Sequence, residues 1–221
     1  MDFPMKLRVV CVLGAVCLLL AGMCGCAAKA PEVTLLETGT NAEGNRNPLV
    51  VMQVKDFGTI QMELYPDKAP NTVNSFISLI NKGFYNGVVF HRVAPGFVIQ
   101  GGDPEGTGRG GPGYSITGEF PVNGFTQNDL LHVTGALSMA RSQSLDSGGS
   151  QFFICLDDLP GLDGLGYCVF GQVIGEDSLA VVKQIAATKL SASETPAKPP
   201  VMDKVTVDTF GVTYPEPEVI K

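Results

Sequence analysis

The stretch "FHRVAPGFVIQGGD", Phe90 to Asp103, sets one arginine and one glutamine, Arg92 and Gln100, among residues that are almost all apolar or glycine. It holds no serine or cysteine nucleophile and no cluster of metal ligands. The chain has only 2 His, His91 and His132, far apart and with no ligand spacing around either, so no metal site is read. Gly106-Thr107-Gly108-Arg109-Gly110-Gly111 matches G-x-G-x-x-G, but Pro112-Gly113 follows where a dinucleotide site needs a helix to open. Gly148-Gly149-Ser150-Gln151-Phe152 fails as a nucleophile elbow, because Phe152 stands where the second glycine belongs. What is left is whatever chemistry an arginine and a glutamine can perform in an apolar setting.

The elements around these residues are mostly short strands. The chain has 221 residues, 44% of them hydrophobic, enough for one substantial core. With 15 Lys+Arg against 22 Asp+Glu the net charge is -7, which argues against nucleic acid as a partner. "LVVMQVKDFGTIQMELY" reads as two strands turning at Gly58. Val73, Phe76, Ile77 and Ile80 fall on one helical face, with Pro70 in the first turn and Gly83 at the stop. Leu179, Val182, Ile185 and Ala186 mark a second helix. Strand-length runs fall at Val88–Arg92, Phe97–Gln100, Gly135–Ala140, Gln151–Leu156 and Cys168–Val173, "LSASETPAKPP" is a loop, and "VTVDTFGVTY" closes the chain as a strand. The expected fold is mainly β: a closed antiparallel β-barrel capped by two α-helices. Cys155 and Cys168 sit in apolar runs, as buried thiols or as a disulfide pair.

The N-terminus has a signal-peptide layout, with Lys6 and Arg8 before an apolar run and small residues after it. Met23-Cys24-Gly25-Cys26 resembles a bacterial lipobox, with Cys26 as the lipidated residue and Cys24 as the second choice. The expected organisation is a lipoprotein signal peptide over 1–25, a flexible tether over 26–48, one domain over 49–214 and a C-terminal tail over 215–221. A plain cleaved signal or an uncleaved anchor are the alternatives. The localisation that follows is the bacterial cell envelope, lipid-anchored, with the domain outside the cytoplasm.

"FHRVAPGFVIQGGDPEGTGRGGPGYSI", "GALSMARSQSLDSGGSQFFICL" and "LDGLGYCVFGQV" together resemble the cyclophilin-type peptidyl-prolyl cis-trans isomerases, in order and spacing from about Leu49 to Phe210. The resemblance implies an eight-stranded barrel, isomerase activity on X–Pro bonds, no cofactor, and unfolded or proline-containing polypeptides as partners of a monomer. It also accounts for the missing nucleophile. Rotation about an amide is opposed by about 18–20 kcal/mol of resonance, and no bond to a heavy atom breaks. A fixed cation that donates a hydrogen bond to the nitrogen of the twisted amide stabilises that state and not the planar one. Arginine stays charged and stiff, and an apolar surround strengthens its field.

Residue by residue, the resemblance makes Arg92 the catalytic arginine and Gln100 the glutamine that binds substrate backbone and helps hold it. Phe97, Val98, Phe153 and Leu162 match the walls of the proline pocket. Tyr167 stands where eukaryotic members carry histidine, Arg141 and Ser142 match the substrate-pairing strip, Gly106, Thr107 and Gly108 the rim loop, and Gln151 a polar wall. Val98 replaces a common methionine, and Gly161 falls where many members have a large residue. A binding module for proline segments is the rival reading, and a hydrolase pairing Ser150 with His132 a weaker third. His91 is read as structural, since isomerisation needs no general base.

Overall fold

The computed structural model describes residues 33–221; the segment expected as a signal peptide, Cys24, Cys26 and the start of the expected tether lie outside the described residues. Two strands, β1 (Leu49–Val54) and β2 (Gly58–Leu64), form the expected hairpin, and α1 (Pro70–Asn81) follows. Next come β3 (Arg92–Ala94), β4 (Val98–Gly101), β5 (Ala136–Met139), β6 (Phe152–Cys155) and β7 (Cys168–Ile174). The chain ends with α2 (Glu176–Ala186), a small hairpin of β8 (Leu190–Ala192) and β9 (Thr195–Pro196), and β10 (Met202–Asp208). Eight strands make one antiparallel sheet in the order β10-β1-β2-β7-β5-β6-β4-β3.

The sheet is curled but not closed, which corrects the closed barrel expected from sequence. No ladder joins β3 to β10. The seam is crossed instead by an isolated bridge between Val89 and Val201, with Phe90 N donating to Pro200 O and Met202 N to Val88 O. The run read as a strand over Val88–Arg92 therefore enters the ladder only at Arg92. The physical reason is that Val88–Phe90 gives its backbone groups to the chain leading into β10. The loop read over Leu190–Pro200 also proved to hold the β8–β9 hairpin.

α1 forms because its apolar residues share one face, and that face fills the mouth of the sheet. Phe76, fully buried, meets Tyr85 at 5.0 Å, Phe170 at 5.1 Å and Phe152 at 5.5 Å between ring centroids. No side chain of its own caps the helix. The buried carboxylate of Glu119 does so from another loop, accepting Asn71 N at 2.9 Å and Thr72 N at 2.7 Å. A negative group here meets both the orphan N–H donors and the positive end of the helix dipole.

From Val33 onward the segment expected as a tether lies on the domain. Leu36 N donates to Gln61 Oε1, Gly39 N to Glu63 Oε1, and Arg46 stacks over Phe210 at 3.8 Å. The C-terminal residues are held too: Ser115 and Ile220 pair as a bridge, and Asn71 exchanges hydrogen bonds with Glu218. Cys155 and Cys168 are buried and unbridged.

Candidate active site

Side chains alternate across a strand, and here both faces are covered. Val93, Ile99, Phe152, Ile154 and Leu137 belong to the main core. Ala94, Val98, Phe153, Cys155, Ala136 and Val169, of the opposite parity, form a second apolar cluster with Phe97, Leu162 and Tyr167 packed on it. This is why "FHRVAPGFVIQGGD" lacks a polar alternation. Ladder register then lines up the site. Arg92 stands opposite Gln100, Gln100 opposite Phe153, and Phe153 opposite Ser138. The β3–β4 turn is tight, with Pro95 and Gly96 at its centre, Gly96 at φ 73 and Phe97 N donating to Ala94 O. That positive φ suits glycine alone without strain.

Arg92, Phe97, Val98, Gln100, Arg141, Phe153, Leu162 and Tyr167, all named from sequence, line one cavity of about 160 Å³, with Ala140 added. Phe97, Val98, Ala140, Phe153, Leu162 and Tyr167 supply its apolar walls, and Arg92, Gln100 and Arg141 its polar ones. Arg92 Nη1 donates to Gln100 Oε1 at 3.2 Å, Gln100 Nε2 to Gln151 Oε1 at 3.0 Å, and Gln151 Nε2 to Gly110 O at 2.9 Å. This relay points the acceptor end of Gln100 at the arginine. Arg92 Nε donates to Glu194 Oε2 at 2.5 Å. Among the described residues its Nη2 carries no hydrogen bond. The cavity can hold a small apolar ring, with a cation at its rim to meet a developing lone pair.

Beside it runs an open groove of about 480 Å³, to which Gly108, Ser142 and Gln151 contribute, along with Gln100 and Arg141. A further hollow of about 450 Å³, which also shares Arg92 and Gln100, takes in Gly106, Thr107 and Gly108. Arg141 lines both the cavity and the groove, and its guanidinium is engaged within the protein. It donates to Gly166 O and Leu165 O and lies 4.7 Å over the Tyr167 ring, so it clasps the loop that carries Leu162 and Tyr167. The N–H of Ser142 is also engaged, by Ser147 Oγ. At Gly161, next to Leu162 of the cavity, a Cβ would meet nothing within 4 Å, so the space there is open.

Three supports were not read from sequence. Asp103, 1% exposed, accepts the N–H groups of Glu105, Thr107, Gly108 and Arg109 and so shapes the rim loop. Burial alone would raise its pKa; the N–H groups of Glu105, Gly108, Gly110 and Thr107 outweigh burial and hold the carboxyl below its ordinary value. An Asx signal in "GGDPEG" could have pointed to it. Gly110 approaches so closely that a Cβ would fall 2.0 Å from Asp103 Oδ1. Next, His132 Nδ1 donates to Asp163 Oδ1 at 2.8 Å, and its Nε2 shares a hydrogen bond with Ser138 Oγ at 3.1 Å. The group has the outline of a hydrolytic triad, yet Ser138 is 0% and His132 3% exposed, so no substrate reaches it. His132 instead stacks on Phe153, with centroids 5.9 Å apart and planes 15° from parallel. Ser150, the serine considered for a hydrolase, donates to Gly102 O inside the protein. Last, Glu194 gave no local signal.

Fold and site define a mainly β protein whose outer sheet face carries an arginine-edged apolar cavity beside an open groove. The family model described as cyclophilin type peptidyl-prolyl cis-trans isomerase/CLD matches residues 49–207, and the chain belongs to that family. It is 48% identical over 128 residues to a peptidyl-prolyl cis-trans isomerase of Synechococcus elongatus, covering 58% of this chain and 82% of that one. It is 52% identical over 120 residues to peptidyl-prolyl cis-trans isomerase B of Bacillus subtilis, covering 54% and 79%. A crystal structure of a Cryptosporidium parvum cyclophilin type isomerase in the presence of the dipeptide Ala-Pro superposes with a TM-score of 0.62 at 30% identity, covering 72% of this chain and 98% of that one. The activity is peptidyl-prolyl cis-trans isomerisation.

Proposed function

We propose that the chain isomerises X–Pro bonds in exported proteins and so assists their folding, with Arg92 as the catalytic group. Uncatalysed, that step takes tens to hundreds of seconds, slow enough to limit folding. The observation that carries the role of Arg92 is its place at the rim of the apolar cavity, with Nη1 held by Gln100 and Nη2 unengaged. A proline ring seated against Phe97, Val98 and Phe153 brings its amide nitrogen to that guanidinium. As the bond twists, the nitrogen regains its lone pair and accepts a hydrogen bond that the planar amide does not, which lowers the barrier. Gln100 holds the substrate backbone, and the neighbouring groove takes the chain that flanks the proline.

The chain acts as a monomer, anchored to a membrane by a lipid on Cys26, with the domain outside the cytoplasm. The lipobox-like Met23-Cys24-Gly25-Cys26 and the apolar run before it support this reading. Fractionation of cells making the wild type and Cys26→Ser tests it. The wild type sediments with membranes and carries the mass of a lipid, and the variant does neither. A variant that is still lipidated moves the site to Cys24. A wild type without lipid sinks the anchor but leaves the isomerase reading intact.

A further inference from the structure

We infer that Glu194 is a positioning residue for the isomerase reaction, its carboxylate holding the Nε edge of Arg92 so that the guanidinium meets the substrate in one fixed plane. Gln100 grips only one corner of the guanidinium, Nη1 at 3.2 Å. A single contact leaves the long side chain free to swing about its last bonds. The second contact, Nε to Glu194 Oε2 at 2.5 Å, lies at the opposite end of the fork and removes that freedom. Nη2 then remains as the nitrogen for the twisted amide.

The carboxylate is delivered by structure, not by chance proximity of two surface side chains. Glu194 sits in the turn of the β8–β9 hairpin, where Ser193 takes a left-handed φ of 35. Its own carbonyl accepts Val93 N at 2.8 Å, so its backbone is locked to the residue next to Arg92. Backbone and side chain of one residue thus hold β3 at two points. The two side chains are 36% and 42% exposed, and a pair so exposed adds little to stability. Its consequence falls on the geometry of the arginine. The adjacent negative charge also damps the field of Arg92, so the effect of removing it decides whether Glu194 braces the site or restrains it.

This inference rests on Arg92 being the catalytic group. Cis–trans exchange of an Ala-Pro peptide, followed by NMR with the purified full-length chain, gives kcat and KM for the wild type, E194A, E194Q and R92A. E194A is expected to lose about tenfold in kcat with KM nearly unchanged, the mark of a misaimed group, not a lost binding contact. E194Q keeps an acceptor oxygen and recovers most of that loss. The Nε–Hε resonance of Arg92, identified by its absence in R92K, is shifted and slow to exchange in the wild type and ordinary in E194A. An E194A with full or raised kcat beside an inactive R92A overturns the inference alone, as does an E194Q as impaired as E194A. An active R92A removes the catalytic reading of Arg92 and the inference with it.

Discussion

Arg92 and Gln100 face each other across the β3–β4 ladder, and the arginine Nη1 donates to the glutamine Oε1 at 3.2 Å. The pairing follows from the turn. Pro95 and Gly96 reverse the chain so tightly that residues eight apart become direct cross-strand neighbours. Gln100 is held in turn by Gln151, so the arginine is aimed through a chain of amides.

Arg92→Ala is expected to lower kcat/KM by at least about 100-fold, the scale seen when a charge-stabilising donor is removed. Arg92→Lys keeps the charge but not the fork and should stay well below wild type. Gln100→Leu should cost about tenfold, because it frees the guanidinium without removing it. Exchange NMR on a proline peptide measures all three, and unchanged melting temperatures separate chemistry from folding.

Asp103→Ala leaves four backbone N–H groups of the rim loop without their acceptor and should cost about 3 kcal/mol of stability. The native carboxyl is held below its ordinary value, so its contribution is in full force above pH 4 or so and fades as pH falls through the lower native pKa. Urea melts of wild type and variant between pH 2 and pH 7 should therefore converge at the acid end.

His91 acts in the same direction in a higher pH window. Burial lowers its pKa from 6.5; Asp103 opposes the shift and Arg92 adds to it. Its Nδ1 is buried with no hydrogen-bond partner. Below pH 6.5 the unfolded chain binds a proton that the native state resists, so stability should fall as pH drops from 7 toward 5. His91→Gln should flatten that slope while leaving the isomerase rate near wild type, since the reaction needs no base.

His132→Ala removes the ring beneath Phe153, strands Ser138 and leaves Asp163 with only the backbone N–H of residue 132. A loss of about 2–4 kcal/mol in stability is expected, together with a raised KM for proline peptides as Phe153 loses its support. Chemical denaturation and peptide titration read the two effects separately. An unaltered KM would confine His132 to the fold.

Burial pushes the thiols of Cys155 and Cys168 up to about 12, so neither should react with an alkylating reagent at pH 8 in the native protein. Both should label in denaturant, as peptide mapping by mass would show.

Much of the site could be read along the chain, because its parts are local. The face formed by Val73, Phe76, Ile77 and Ile80 marked α1, and Arg92, Phe97, Val98 and Gln100 lie in a single hairpin whose length sets their register. The turn at Gly58 was legible for the same reason. The partners of the Arg141 side chain were not, because Leu165 and Gly166 lie 24 and 25 residues away. The open seam was equally hidden, because closing a sheet depends on whether its two edge strands meet. By itself the sequence determined which residues alternate, where the chain turns and which charge stands among apolar neighbours, since each depends on a few adjacent residues. Only the tertiary structure decided that Glu119 caps α1 from 47 residues away and that Glu194 reaches Arg92 from 102 away. Those contacts depend on loop closure across the whole chain, and no window of sequence contains both partners.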